Sequence, residues 1–469
     1  MEIKRSPYSI ILLLILYINA FIALNANELP NLIVIMTDDQ GYRDVGFNGS
    51  TEIPTPNIDS IATNGVKFTD GYVSFPVCGP SRAGFITGRY QDRFGFTTNP
   101  TQDPSNETAG LPLSEATMAD VLKDVGYRSA IIGKWHLGTH PKFHPLNRGF
   151  DYFYGFLSGG HNYMPEMLNI EDMSEVTKRW QWYSTKILEN HTRVELKKYL
   201  TEALTDSAID FIEEHKQKND SPFMLFLSYN APHTPYQATK KYLDRFPHIE
   251  NWGRKRYCAM ISAVDDGVGR VLKKLEEENI KDNTIIFFLS DNGGPVKHAA
   301  NNFPLRGAKG DLYEGGTRVP FAMQWPDKIP GGIVYSNPII SLDIMATITE
   351  ISGAKIDPEK TLDGVNLIPF LIGDKKGNPH EYLFWRKWEQ KAMAVRHGDK
   401  KIVAPKQWHK LGCEMYSLGE DLKEANNIIL EESPYSDRLI ELWKSWDAEM
   451  KDRVFPSLGN DNWWEREKK

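Results

Sequence analysis

Short, fully apolar runs recur along the chain, separated by longer stretches in which apolar and polar residues alternate. Fully apolar runs of this length are typical of strands that are buried on both faces of a parallel sheet. The predicted strands are Asn31–Thr37, Tyr127–Ile132, Phe223–Tyr229, Thr284–Ser290 and Val319–Trp325.

Helical patterns lie between these runs. Ser114 can cap a helix that presents Met118, Val121, Leu122 and Val125 on one face and ends at Gly126. A longer amphipathic helix carries apolar residues at helical spacing between Ile261 and Leu275. Alternating strands and helices predict an α/β fold with a large, mostly parallel central sheet flanked by helices.

The pattern changes near Ile372. Residues 373–380 resemble a linker, because they are rich in Gly, Asn, Pro and charged residues. Four short strand-like segments follow, at Tyr382–Trp385, Lys391–Arg396, Lys401–Ala404 and Glu414–Leu418, and then a helix that contains Leu439, Leu442 and Trp446. We therefore expect a large domain over residues 27–372 and a smaller α+β subdomain with an antiparallel sheet over residues 373–469.

The first segment has the pattern of a targeting signal. Lys4 and Arg5 precede an apolar run from Tyr8 to Leu24, and small residues follow up to a cleavage point after Ala26. The alternative is an uncleaved anchor, but the run is short for a membrane span. We expect residues 1–26 to be a signal peptide and the protein to be exported, either periplasmic or secreted, with no stable membrane insertion after cleavage.

Composition and charge exclude several classes of protein. Of 469 residues, 41% are hydrophobic and 25% charged, which is an ordinary globular balance. The three cysteines are too few for a disulfide-rich scaffold. Lys+Arg number 55 and Asp+Glu 62, and this formal charge of −7 argues against nucleic acid as a partner.

Charged and polar residues follow four of the predicted strands directly. They are Asp38, Asp39, Lys134, His136, His233, Asp291 and Asn292. In open α/β sheets, ligands bind at the carboxyl ends of the strands, so we expect these side chains to share one edge. Carboxylate and amide oxygens suit Ca²⁺ or Mg²⁺ better than Zn²⁺. The alternative is that each Asp or Asn is an ordinary turn residue.

A second feature is the run Cys78-Gly79-Pro80-Ser81-Arg82. Pro80 or Ser81 can open a helix that continues to Thr87 and ends at Gly88. Cys78 would then lie at a helix N-terminus, which favours anions and reactive thiolates. A buried, unreactive cysteine is the alternative, and composition does not decide between them.

The segment from Cys78 to Arg82, with Thr87-Gly88-Arg89 downstream, resembles the motif of type I sulfatases. Other blocks of that family resemble this chain in the same order, over roughly residues 30 to 370. They are Thr37-Asp38-Asp39-Gln40-Gly41, Gly133-Lys134-Trp135-His136, Ala231-Pro232-His233, Ser290-Asp291-Asn292-Gly293, and Leu305-Arg306-Gly307-Ala308-Lys309-Gly310 leading into Glu314-Gly315-Gly316-Thr317-Arg318.

The resemblance implies an alkaline-phosphatase-like fold and a sulfatase in which a maturation enzyme oxidises Cys78 to formylglycine (3-oxoalanine). The hydrated aldehyde is then a diol: one hydroxyl attacks sulfur as the alcohol leaves, and deprotonation of the other re-forms the aldehyde and expels sulfate. Metal ligands carried over from the family are Asp38, Asp39, Cys78, Asp291 and Asn292, with Ca²⁺ favoured over Mg²⁺.

Five further residues receive catalytic roles from the same resemblance. Arg82 and Lys134 would steady the diol and its charge. His136 would be the base that triggers sulfate release. His233 would be the acid on the leaving-group side, where Lys309 would grip a sulfate oxygen.

The sequence says less about the substrate. His161 and His298 are candidate substrate contacts, with exposed loop surface as the alternative, and Arg386 in the C-terminal subdomain is a further candidate that would help close the substrate pocket. By analogy we expect a sulfated polysaccharide or its oligosaccharides. Two other functions compete: a phosphonate or phosphate ester hydrolase of related fold, and a non-catalytic carbohydrate-binding relative in which Cys78 stays unmodified.

Overall fold

The computed structural model describes residues 29–218 and 221–460. The predicted signal peptide, residues 1–26, lies outside the described residues. Among the residues described, no helix combines the length and the apolar character that a membrane crossing needs. All three cysteines, Cys78, Cys258 and Cys413, are free thiols.

The described strands, in chain order, are β1 Asn31–Thr37, β2 Val66–Phe68, β3 Gly71–Tyr72, β4 Arg128–Lys134, β5 Tyr152–Phe156, β6 Ile187–Glu189, β7 Thr192–Val194, β8 Phe223–Ser228, β9 Thr284–Ser290, β10 Phe321–Gln324, β11 Ile333–Tyr335, β12 Ile339–Ile340, β13 Tyr382–Lys387, β14 Ala392–His397, β15 Lys400–Ala404 and β16 Glu414–Ser417. Ten of them form one sheet in the order β11-β2-β10-β9-β1-β8-β4-β5-β6-β7. The run from β9 to β5 is parallel, while β10, β6 and β7 pair antiparallel at its two sides.

The described α-helices are α1 Pro56–Thr63, α2 Cys78–Thr87, α3 Met118–Lys123, α4 Leu200–Lys218, α5 Lys240–Leu243, α6 Trp252–Glu277, α7 Glu314–Thr317, α8 Asp343–Ser352, α9 Ile368–Leu371, α10 Trp408–Leu411 and α11 Ser433–Asp447. Short 3₁₀ turns lie at Gly46–Asn48, Gln91–Phe94, Pro141–Phe143, Pro145–Asn147, Pro165–Met167, Met173–Glu175, Gln181–Ser184 and Leu458–Asn460.

Two apolar layers cover the large sheet, one on each face. In β1, Ile33 and Ile35 pack in the layer that contains α4 and α6. Leu32, Val34 and Met36 pack in the opposite layer with α2 and α8. Because alternate side chains of a strand point to opposite faces, a fully apolar run is what a strand covered on both sides requires. The predicted α/β fold is confirmed.

Two details differ from the sequence-based expectation. The helix that was expected to begin at Ser114 begins at Met118, because Thr117 and Asp120 cap each other reciprocally. The strand predicted over Val319–Trp325 is shorter in the structure, where it is β10, and it runs antiparallel to β9. Pro320 explains its later start, because proline has no N–H to donate to a sheet.

The smaller antiparallel sheet, in the order β13-β14-β15-β16, packs with α11 around tryptophans such as Trp385 and Trp443. A buried ion cluster joins this sheet to the large one. Lys401 on β15 lies 2.7 Å from Glu314 on α7 and 3.1 Å from Glu424, and all three side chains are fully buried. Burial raises the pKa of Glu424 to about 7, whereas Lys401 and Arg318 outweigh burial and lower the pKa of Glu314 to about 2.

Replacing Lys401 by Met is expected to destabilise the fold. The change leaves Glu424 without its cation and Glu314 with Arg318 as its remaining close partner, and breaking a buried ion pair costs roughly 3–5 kcal/mol. Lys400→Met is the matched control, because Lys400 pairs with Glu432 in a partly exposed position, where a pair is worth about 1 kcal/mol or less. Urea titration measures both free energies of unfolding, and equal losses for the two variants would contradict this account.

Candidate active site

The carboxyl ends of β1 and β9 place two pairs of polar residues side by side. Thr37 and Ser290, the last residues of these strands, are register partners. Asp38 and Asp39 therefore leave β1 next to Asp291 and Asn292, which leave β9. The Asp39 N–H donates to Asp291 Oδ1 at 3.2 Å, and Asn292 Nδ2 donates to Asp39 Oδ1 at 2.8 Å. All four side chains are buried.

Helix α2 delivers Cys78 and Arg82 to the same place. Cys78 is the first residue of the helix, two positions earlier than the expected start, and Gly88 ends it in the left-handed conformation. Every residue of α2 is buried. The Sγ atom of Cys78 and one oxygen each of Asp38 and Asp291 all lie within 4.8 Å of one another.

Three cations from different parts of the chain neutralise these carboxylates. Lys134, the last residue of β4, places its Nζ 2.6 Å from Asp38 Oδ2. Arg82 Nε lies 2.9 Å from Asp291 Oδ2. Lys309 Nζ lies 2.6 Å from Asp39 Oδ1. Each carboxylate thus has one close cationic partner, which offsets much of the cost of burying charge.

The two adjacent aspartates titrate in opposite directions. Burial and the neighbouring Asp291 raise the pKa of Asp38 to about 8, although Lys134 opposes this shift. Burial also acts to raise the pKa of Asp39, but Lys309 and His233 outweigh it and lower the pKa below its usual range. Lys134 alone therefore does not supply enough positive charge to offset the burial of the Asp38 carboxylate and its repulsion by Asp291.

The donor set fits a hard divalent cation. Asp38 Oδ1 and Asn292 Oδ1 are buried and have no hydrogen-bond partner within residues 29–218 and 221–460. Buried oxygens without a hydrogen-bond partner, next to a carboxylate whose pKa is raised, are suitable ligands for a calcium or magnesium ion. Asp38, Asp39, Asp291, Asn292 and residue 78 are the residues that would hold it.

Two histidines border this cluster in different ways. His136 is 2% exposed, and neither of its ring nitrogens has a hydrogen-bond partner in the described part of the chain. Burial, Lys134 and Arg82 lower the pKa of His136 well below its ordinary value, so its ring is neutral. Burial likewise lowers the pKa of His233 to about 3, despite the nearby Asp39.

His233 faces Asp39 from the end of the segment that follows β8. Its Nδ1 lies 2.6 Å from the carbonyl oxygen of Thr234, which makes Nδ1 the protonated nitrogen of the neutral ring. Nε2 lies 3.7 Å from Asp39 Oδ2. The ring is thus oriented with Nε2 towards the side of the cluster that Lys309 occupies.

A cleft of about 570 Å³ opens on this side. Asp39, His233 and Lys309 line its inner end, and His298 and Lys297 line its wall. The structure therefore brings His298 together with the core cluster. A ligand of sugar size fits a cleft of this volume.

His161 and Arg386 do not reach this cleft. His161 is fully buried against Phe156, and its Nδ1 lies 2.9 Å from the carbonyl oxygen of Asn162. Arg386 is buried in the smaller subdomain, where its guanidinium lies 2.8 Å from Asp447 Oδ1 and 3.3 Å from Asp92 Oδ1. Its Nη2 donates to the carbonyl oxygen of Lys451 at 2.6 Å, so the guanidinium is held by the protein itself.

Sequence reasoning missed two residues of the site. Asn99 accepts the Gly79 N–H through Oδ1 at 2.9 Å and directs Nδ2 towards Cys78 Sγ at 4.0 Å. Ser228 accepts a hydrogen bond from Arg82 at 2.6 Å and donates to the Lys134 carbonyl at 2.7 Å. Ser228 could have been found as the polar end of an apolar strand, whereas Asn99 lies in a loop with no motif around it.

Comparisons with known proteins identify the family to which the chain belongs. The family model described as "Sulfatase" matches residues 30–354, and the model described as "N-sulphoglucosamine sulphohydrolase, C-terminal" matches residues 308–451. N-acetylgalactosamine-6-sulfatase of Mus musculus is 34% identical over 374 residues, which cover 77% of this chain and 70% of the relative.

Two solved structures share the fold over most of their length. Ps i-CgsB in complex with k-i-k-neocarrahexaose is 36% identical, with a TM-score of 0.87 and coverage of 94% of this chain and 97% of that one. The PsFucS1 sulfatase from Pseudoalteromonas sp. is 25% identical, with a TM-score of 0.78 and coverage of 93% of both chains. The chain belongs to the sulfatase family and is a sulfuric ester hydrolase.

Proposed function

We propose that this sulfatase hydrolyses sulfate esters on a sulfated polysaccharide or its oligosaccharides, with formylglycine at position 78 and a calcium ion at the carboxyl ends of β1 and β9. The observation that carries the proposal is the shared pocket of Cys78, Asp38 and Asp291. A cysteine at the first residue of a buried helix, next to oxygen ligands for a cation, suits an oxidised nucleophile and a metal acting together.

Local positive charge is the first requirement of this chemistry, because an anionic sulfate ester repels nucleophiles. The chain as a whole is acidic, yet Arg82, Lys134 and Lys309 converge on the site. A calcium ion would add two further charges and polarise a sulfate oxygen. Fixed charges in a water-poor pocket stabilise the charge that develops in the transition state.

Residue 78 would supply the nucleophile. Burial raises the pKa of the Cys78 thiol despite Lys134 and Lys309, so the unmodified side chain is a poor thiolate donor. An oxidised residue 78 supplies a hydrated aldehyde, which accepts the sulfuryl group and afterwards offers a second hydroxyl for its release. Arg82 and Lys134 lie where they would hold the charge of that side chain.

The two histidines would divide the proton transfers. His136 is neutral, and neither ring nitrogen has a hydrogen-bond partner in the described residues, so a nitrogen is available to accept a proton when sulfate is released. His233 borders the cleft, where the leaving alcohol would depart. An anionic ester bound between His233 and Lys309 would favour the protonated imidazole, which can then donate to the leaving oxygen.

A sulfated carbohydrate is the substrate class that the surroundings favour. The cleft beside Lys309 is large enough for a sugar, and His298 offers a polar contact in its wall. A similar protein has been solved with a neocarrahexaose, and another relative is a sulfatase of N-acetylgalactosamine. His161 and Arg386, by contrast, would act only by supporting the structure.

Export and maturation complete the proposal. Residues 1–26 would direct export and be removed, leaving Asn27 as the first residue of a periplasmic or secreted protein. A formylglycine-generating enzyme would have to oxidise Cys78 before α2 is buried, because the residue is 2% exposed in the folded chain.

The matured protein is expected to carry an aldehyde at position 78. Peptide mass spectrometry should show the Cys78 peptide with the mass of formylglycine, and an intact mass that begins at Asn27. Cys78→Ala should lower kcat by more than about 10⁴-fold, the scale seen when a covalent nucleophile is removed. Cys258→Ala, which changes an equally buried cysteine on α6, should keep full activity. A pure thiol peptide from fully active protein would contradict the assignment.

Calcium is expected to bind at Asp291 and its neighbours. Ca²⁺ at about 100-fold above its Kd should stabilise the wild-type fold by about 2.7 kcal/mol, and chelation should abolish activity. Asp291→Asn should be inactive and should gain no stability from Ca²⁺, because one ligand charge and the Arg82 ion pair disappear. Asp265→Asn is the control, since this buried carboxylate instead caps α1 through Asn57 and Ile58. Calorimetric calcium binding by Asp291→Asn at wild-type affinity would overturn the ligand set.

The substrate class is tested by comparing kcat/KM for matched aryl sulfate and aryl phosphate esters, followed by a panel of sulfated oligosaccharides. We expect a clear preference for sulfate and measurable sulfate release from carbohydrate sulfates, including carrageenan fragments. A strong preference for phosphate would favour the phosphonate or phosphate hydrolase. No turnover of any ester, with an unmodified Cys78, would favour the carbohydrate-binding alternative.

A further inference from the structure

Lys309 is carried by a loop that belongs to neither a helix nor a strand. The loop lies between β9 and α7, so backbone hydrogen bonds to other segments must hold it in place. The Lys309 N–H donates to the Gly294 carbonyl at 3.3 Å, and the Gly310 N–H donates to the Pro76 carbonyl at 2.8 Å. Pro76 lies two residues before Cys78. One side of the loop is therefore tied to the segments that carry the nucleophile and the metal ligands.

The small antiparallel sheet holds the other side. Lys387, the last residue of β13, donates a hydrogen bond from Nζ to the carbonyl oxygen of Gly310. Gly310 has a φ of +94°, a conformation that suits glycine and that few other residues adopt. Pro76 and Lys387 thus bind the N–H and the C=O of the residue that follows Lys309.

Lys309 has little freedom in its position. Its Nζ contacts Asp39 Oδ1 at 2.6 Å and Oδ2 at 2.8 Å, and its side chain is 21% exposed towards the cleft. Loss of the contact at the Gly310 carbonyl would free the backbone on one side of Gly310, and any resulting shift of Lys309 would lengthen these contacts. Displacements of about 1 Å at a charged group can cost up to 100-fold in rate.

We propose that Lys387 is a positioning residue for sulfate ester hydrolysis, which acts by holding the Gly310 carbonyl and thereby aligning Lys309 with Asp39 and the bound sulfate. This inference rests on the role proposed for Lys309. It gives the small sheet a part in catalysis, although none of that sheet's described residues lines the cleft beside Lys309.

Other contacts between the small antiparallel sheet and this loop lie farther from Lys309. Arg306, three residues before Lys309, donates from Nη1 to Tyr416 Oη at 2.9 Å and to the Glu424 carbonyl at 2.7 Å. Glu314 and Lys401 form the buried cluster at its end. Lys387 contacts the loop beside Lys309 and is only partly buried, so its removal should disturb alignment more than folding.

The test compares Lys387→Met with Lys391→Met in the matured full-length protein, because Lys391 is a nearby exposed lysine in the turn between β13 and β14. The readouts are kcat and KM for a small aryl sulfate, the inhibition constant of inorganic sulfate, and the unfolding temperature. For Lys387→Met we expect kcat/KM to fall about 10-fold. We also expect weaker inhibition by sulfate and an unfolding temperature close to that of wild type. Lys387→Arg should restore most of the activity, and Lys391→Met should match wild type.

A double variant separates alignment of Lys309 from any other effect. If Lys387 acts through Lys309, Lys387→Met should cause no further loss in a Lys309→Ala background. Additive losses, or a Lys387→Met variant indistinguishable from Lys391→Met while Lys309→Ala is impaired, would overturn the inference alone. Wild-type activity of Lys309→Ala would overturn the proposed role of Lys309 itself, and the inference with it.

Discussion

The crowding of three buried carboxylates, Asp38, Asp39 and Asp291, is the constraint on which the rest of the site depends. Like charges this close repel strongly in a poorly polarisable interior, and burial removes the water that would screen them. Each carboxylate therefore has its own cation within about hydrogen-bond distance, and each cation comes from a different element. A fold that did not bring β4, α2 and the Lys309 loop to one edge could not bury this cluster.

The three protein cations match the three carboxylates in number, but they do not fully offset the cost of burying Asp38. Asp38 keeps a pKa of about 8 although Lys134 lies beside it, and Asp38 Oδ1 has no partner in the described residues. A divalent ion would supply further positive charge beside Asp38 and would be bound by oxygens that otherwise have no partner. The same positive surroundings would then serve an anionic substrate, so that folding and catalysis draw on one charge arrangement.

Two residues of the site also have strained backbone conformations. Asp39 and His136 adopt left-handed conformations, with φ of 67° and 59°, and each is the second residue after the end of a strand. Such a conformation costs roughly 1–2 kcal/mol for a residue with a side chain. Packing on both faces of the large sheet offsets this cost, because β1 and β4 lie between two apolar layers that contain helices. Rigid strands thus hold two side chains in orientations that an isolated loop would not keep.

Much of this arrangement could be predicted from the sequence. Fully apolar runs locate β1, β8 and β9 nearly to the residue, and the rule that ligands bind at carboxyl ends is enough to group Asp38, Asp39, Asp291 and Asn292 at one edge. Local patterns fail where a distant contact decides the outcome. Asn99 reaches Cys78 across a loop, and Arg386 lies beside Asp92, which is far away in the chain. The helix start is a local miss: Thr117 caps the helix instead of Ser114, because Asp120 three residues later can reciprocate.

The central claim, that one calcium ion and an oxidised residue 78 share this pocket, is tested most directly by a crystal structure of the matured protein with calcium, using anomalous scattering to locate the ion. The account predicts a single peak about 2.3–2.6 Å from oxygens of Asp38, Asp39, Asp291 and Asn292, in contact with a side chain at position 78 that has lost its sulfur. An ion bound elsewhere, or an intact thiol at position 78 in crystals of fully active enzyme, would contradict it.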